Sequence, residues 1–105
     1  MNRVVITGLG AVSSVGQSTR EYWDSLIAGR SAFALPTLGN AAQAGDRLVG
    51  EVKGFDPAAH FESSQILPLD RASQFAIVAA RQAVSQSGLA LRGELAERTA
   101  AIIGT

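Results

Sequence analysis

RVVITGLGAVSSVG, residues 3–16, is the stretch that decides how this 105-residue chain folds. Residues 3–7 are mostly β-branched and would be apolar on both faces of a strand, which is typical of a central strand in a sheet. Gly8 and Gly10 follow directly, and residues 11–16 read as an irregular continuation or loop. We therefore predict a buried strand that ends at a glycine-rich turn.

Two helices are predicted further along the chain. Ser18 and Glu21 have the spacing of a capping box, and Gly29 supplies a stop, which together predict a helix over 19–28. Asp70 begins a longer helix that runs to about Ser87. The longer helix has one apolar face, composed of Ala72, Phe75, Ala76, Ala79, Ala80, Ala83 and Val84. Alanines let another backbone approach closely, so we expect this helix to be buried against a sheet or a sister helix.

The remaining segments complete an α/β pattern. The predicted features are a surface loop over 30–46, a short strand over 48–52, a brief helix from Asp56 through Phe61, a helical turn over 94–98 and a second apolar strand over 100–104. The order of strands and helices indicates an α/β fold in a single, incomplete domain over 1–105. Two strands are too few for a stable sheet, so the chain looks cut off.

Composition excludes several classes of function. Nine basic and nine acidic residues cancel and are scattered, which argues against nucleic-acid binding. The absence of cysteine removes disulfides, thiolate metal ligands and thiol nucleophiles. No apolar stretch approaches the roughly 20 residues that span a bilayer, so we expect no membrane association and a cytoplasmic location.

The glycines after the first strand resemble part of a dinucleotide-binding motif. In that motif, backbone N–H groups at the start of a helix hold a pyrophosphate. Ser13 occupies the third glycine position of G-x-G-x-x-G, while Val12 and Ser14 occupy the glycine positions of the short-chain reductase variant. We interpret Gly8 and Gly10 as residues that permit tight backbone packing at a strand end.

The other residues that could be catalytic or could bind a ligand have structural interpretations. His60, the single histidine, has no cysteine or serine nucleophile to activate, which favours a surface or packing role. Asp70 and Arg71 could form a catalytic pair, but Asp70 has a sufficient role as a helix cap. Trp23 could form a ligand platform, yet its apolar neighbours at helical spacing favour a core or interface role. We therefore assign no catalytic, cofactor-binding or metal-binding residue to this chain, and we expect no cofactor.

Four ordered segments resemble the elongating β-ketoacyl-acyl-carrier-protein synthases. Residues 3–16 resemble the opening signature of that family, and WDSLIAGRS at 23–31 resembles its W-x-x-L-x-x-G-x-S pattern. Residues 69–89 resemble its long helix with the Ser-Gly-Leu ending, and residues 98–105 resemble a strand that leads to a Gly-Thr/Ser-Gly turn.

The resemblance implies the thiolase-like fold, a layered αβαβα arrangement of which this chain is the beginning of the first half. It also implies a condensing acyltransferase of fatty-acid or polyketide synthesis that is homodimeric and works with an acyl carrier protein. The family's nucleophilic cysteine and two histidines lie beyond the position that matches Thr105, and His60 is not one of them.

Two alternatives and one departure accompany this interpretation. The chain could belong to a non-catalytic chain-length factor in a ketosynthase-like heterodimer, or it could be a small nucleotide-binding module. Basic residues often precede the long helix in the family, where they can meet the carrier protein. Here that stretch is SQILP, residues 64–68, although Arg71 could contribute to docking. The apolar strands further predict that the 105-residue chain associates or is poorly soluble when isolated.

Overall fold

The computed structural model describes residues 2–39, 43 and 45–104. Its regular elements, in chain order, are α1 (Thr19–Ile27), β1 (Phe33–Ala34), β2 (Val49–Gly50), a 3₁₀ turn (Pro57–Ala59), α2 (Ser63–Ile66), α3 (Arg71–Ser87) and α4 (Glu94–Glu97). Helices thus dominate, and the one sheet described is a two-stranded antiparallel ribbon of β1 and β2. No helix in the described part of the chain has the length and apolar character needed to cross a membrane.

Helix α1 begins where the sequence predicts. The Ser18 hydroxyl accepts a hydrogen bond from the backbone N–H of Glu21 at 3.2 Å, while the Glu21 carboxylate accepts one from Gln17 N–H at 2.8 Å. These two bonds satisfy N–H groups at the helix entrance. The buried Ser25 hydroxyl donates to the Val15 carbonyl at 2.6 Å, which fixes α1 against the loop before it.

Helix α3 is the longest element and confirms its predicted ends. The Asp70 carboxylate accepts from Ser73 N–H at 2.6 Å at the first turn. Gly88 ends the helix with φ at 68°, a left-handed conformation that glycine adopts without steric cost. The helical turn predicted over 94–98 is also confirmed, as α4.

The core lies where α3 meets the segment between β2 and α2. Phe55, Phe61 and Val78 are buried, and half-buried neighbours pack around them. Phe55 meets Phe75 edge-on, with ring centroids 4.9 Å apart and planes at 84°. The Asp56 cap and Pro57 begin the predicted brief helix, which ends at Ala59 rather than Phe61, and this turn carries the two phenylalanines into the core.

The predicted apolar face of α3 is only partly correct. Val78 and the polar Gln74 are its buried side chains, whereas Ala72, Ala80 and Val84 are exposed. The reason is that two separate parts of the chain cover different sides of α3. The aromatic core covers the side of Val78, and residues 8–11 cover the side of Ala79 and Ala83.

The two apolar strands predicted over 3–7 and 100–104 are wrong for this structure. Neither segment belongs to a strand, and Val4 and Ile102 are 95% and 96% exposed. A strand exists only through hydrogen bonds to a partner, and no described residue pairs with either segment. The β-branched composition gives these residues strand propensity, but propensity alone does not make a sheet.

The β1–β2 ribbon differs from the prediction in a second way. Phe33 pairs with Gly50 and Ala34 with Val49, so the strand predicted over 48–52 is shortened to two residues. Its partner lies inside the stretch predicted as a loop over 30–46, of which residues 40–42 and 44 lie outside the described residues. A two-residue strand carries too little periodic pattern to be recognised in a sequence.

Glu51 closes the loop that joins the two strands. Its carboxylate accepts hydrogen bonds from the backbone N–H groups of Thr37 and Leu38, each at 2.8 Å, and from the Thr37 hydroxyl at 2.8 Å. The Leu38 N–H bond, followed by the Thr37 hydroxyl bond, lowers the pKa of the Glu51 carboxyl below its ordinary value.

We predict that Glu51→Gln destabilises the chain in a pH-dependent way. A lowered pKa in the folded state means that ionised Glu51 stabilises the fold above its unfolded pKa, about 4.5, and loses this effect as the pH falls through the lower folded value. Urea unfolding followed by circular dichroism should show a constant stability gap between wild type and variant near neutral pH, and the gap should shrink in acid.

Glu97→Gln serves as the matched control for this measurement. It removes an exposed carboxylate whose side chain makes no hydrogen bond or ion pair within the described ranges. An equal pH-dependent gap for both variants would contradict the role assigned to Glu51.

Candidate functional site

The glycine-rich turn lies directly on helix α3. A Cβ atom added to Gly8 would overlap the Ala83 carbonyl oxygen, and one added to Gly10 would overlap the Ala79 carbonyl oxygen. The two repeats match in length: two residues of extended chain advance about 6.6 Å, and four residues of helix advance about 6 Å. Residues two apart in the turn therefore contact residues four apart in the helix, Gly8 at Ala83 and Gly10 at Ala79.

Two glutamines on α3 secure the same segment by hydrogen bonds. Gln86 Oε1 accepts from Leu9 N–H at 2.6 Å, and Gln82 Oε1 accepts from Ala11 N–H at 3.0 Å. Gln82 Nε2 also donates to the Gln17 carbonyl at 2.7 Å. The side chains of α3 therefore occupy backbone groups that a neighbouring strand or a ligand would otherwise use.

This arrangement confirms the packing interpretation of the glycines. A dinucleotide site needs free N–H groups and a helix that begins directly after the turn. Here the N–H groups of Leu9 and Ala11 are already bonded, and Ser13 and Gly16 form a bridged turn before α1 begins at Thr19. The geometry of the glycines leaves no pyrophosphate cradle.

Trp23 lies beside the turn and is not part of the core. Its side chain is 61% exposed, so the predicted core role is wrong. The alternative role, at an interface, stays a prediction. It borders an open apolar hollow of about 440 Å³ between α1 and the glycine turn. The residues that line the hollow are Leu9, Gly10, Ala11, Thr19, Tyr22, Trp23 and Gln86.

His60 has the packing role that the sequence favours. Its ring stacks on Phe55 with centroids 5.3 Å apart and planes at 17°. Its backbone carbonyl accepts a hydrogen bond from Arg81 at 2.6 Å, and the Arg81 guanidinium lies 5.0 Å from the Phe61 ring centre. These contacts hold the segment after β2 against α3 and bring no nucleophile to the imidazole.

Asp70 and Arg71 make separate contacts at the start of α3. The Asp70 carboxylate caps α3, and its bonds to Ser73 lower the pKa of Asp70 below its ordinary value. The Arg71 guanidinium turns elsewhere: it donates to the Val52 carbonyl at 2.5 Å and lies 4.9 Å from the Phe75 ring centre. The structure thus separates the two groups by function, one as a cap and the other as a cation over an aromatic ring.

Gln82, Gln86 and Glu51 are the positioning residues that sequence reasoning missed. Gln82 and Gln86 are four residues apart beside Ala79 and Ala83, so they could have been recognised as polar residues bordering a close-packed helix face. The bonds of Glu51 depend on a loop geometry that has no sequence signature. Among the described residues, no group of three or more acidic or histidine side chains is placed to hold a metal ion.

Comparison with known proteins places these features in context. The sequence profile described as "Beta-ketoacyl synthase, N-terminal domain" matches residues 1–105. The chain is 34% identical over 103 residues to 3-oxoacyl-(acyl-carrier-protein) synthase 2 of Synechocystis sp., and 39% identical over 103 residues to the enzyme of that name from Coxiella burnetii. It is 41% identical over 104 residues to the tetracenomycin polyketide synthase ketoacyl synthase alpha subunit of Streptomyces glaucescens.

These alignments cover 98% of this chain but only 24–25% of each relative, so the chain spans about a quarter of their length. Among solved structures, the ishigamide ketosynthase/chain length factor is similar with a TM-score of 0.68 and 36% identity. That match covers 83% of this chain and 22% of the other.

The contact between the glycine turn and α3 generates a direct prediction. We expect Gly10→Ala to destabilise the chain by about 1–3 kcal/mol, because the added methyl group must displace the Ala79 carbonyl. Gly104→Ala is the matched control, since a Cβ there meets nothing within 4 Å. It should change stability by less than about 0.5 kcal/mol. Equal urea midpoints for the two variants would show that Gly10 is not packed as described.

Proposed function

The chain belongs to the β-ketoacyl synthase family, whose N-terminal domain it matches, and on that premise we propose that it acts as the first segment of a condensing acyltransferase. The reaction is the decarboxylative Claisen condensation of an acyl thioester with a malonyl-carrier protein, in fatty-acid or polyketide synthesis. The observation that carries the proposal is the closely packed contact of Gly8 and Gly10 with α3, because it gives a structural reason for the glycines of the family's opening motif.

The segment contributes framework rather than reacting groups to this proposal. The chain has no cysteine, and His60 is stacked on Phe55. The chemistry requires a thiolate, which a helix N-terminus favours by lowering the pKa of the thiol, and imidazoles that stabilise the enolate formed as carbon dioxide leaves. We assign the cysteine and both histidines to sequence beyond Thr105, within a thiolase-like αβαβα fold of which residues 1–105 form the beginning.

An acyl carrier protein is the proposed partner, in a cytoplasmic homodimer. The names of the similar synthases support the carrier protein. The basic docking patch that the family resemblance implies is not supported at the start of α3. Leu67 there is 92% exposed and apolar, and Arg71 is held by Val52 and Phe75. We therefore propose that the carrier protein docks mainly through residues outside this segment.

A chain-length factor is the second candidate. The similar solved structure is a ketosynthase/chain length factor, and such a subunit would pair with a ketosynthase. The two candidates share the fold of this segment and differ at the position of the nucleophile.

The sequence that follows Thr105 in the gene tests both candidates. A condensing enzyme predicts a Gly-Thr/Ser-Gly turn, a cysteine and two later histidines, and the longer protein should condense acyl and malonyl groups on a carrier protein. Replacing that cysteine with alanine should abolish condensation. Another residue at the cysteine position, with no condensation, would favour the chain-length factor, and an unrelated continuation would contradict both.

Titration with NAD and NADP separates both candidates from a nucleotide-binding module. Calorimetry on the 105-residue chain should detect no binding, because Gln82 and Gln86 already occupy the N–H groups of the glycine turn. Tight binding that is lost in Gly10→Ala would overturn the family-based proposal.

A further inference from the structure

We draw no further inference here: the strongest candidate, the open apolar hollow beside Trp23 between α1 and the glycine turn, is bounded by residues of a chain that spans about a quarter of its relatives' length, and nothing in the structure shows what covers it.

Discussion

The match between residues 8–11 and helix α3 is the contact on which the rest of the structure depends. An extended two-residue step and a helical four-residue step have nearly the same length, so Gly8 and Gly10 can both lie directly on the helix backbone. Two glutamines accept hydrogen bonds from the N–H groups of the residues that follow each glycine. Side chains larger than hydrogen would keep the segment off the helix. The glycine turn thus places the first segment of the chain against its longest helix.

A second set of contacts fixes the opposite part of the helix. Phe55 and Phe61 bury against Val78, and Arg71 and Arg81 each reach back to a carbonyl of the segment that carries the phenylalanines. Both arginines also lie over aromatic rings. Each arginine therefore makes both a hydrogen bond to the backbone and a contact with an aromatic ring. Helix α3 thus connects two otherwise separate parts of the chain.

The sequence predicted the local features of this arrangement well. Ser18 and Asp70 cap helices, and Gly88 ends one, because caps depend on a few neighbouring residues. The strands over 3–7 and 100–104 were wrong because strand formation depends on a partner that local sequence cannot supply. At the site, the packing role of the glycines was predictable from their failed nucleotide motif, whereas the bonds of Gln82 and Gln86 required knowledge of what lies across from the helix.

The bonds that Glu51 makes to Thr37 and Leu38 have a consequence for engineering the chain. They hold the two ends of the β1–β2 connection together, independently of the residues between them. The entropic cost of a longer connection then grows slowly, by about 0.6 kcal/mol for each doubling of its length. The exposed residues 45–47, which lie within this connection, are accordingly a place where an affinity tag or a reporter peptide can be inserted with little effect on the contacts of α3.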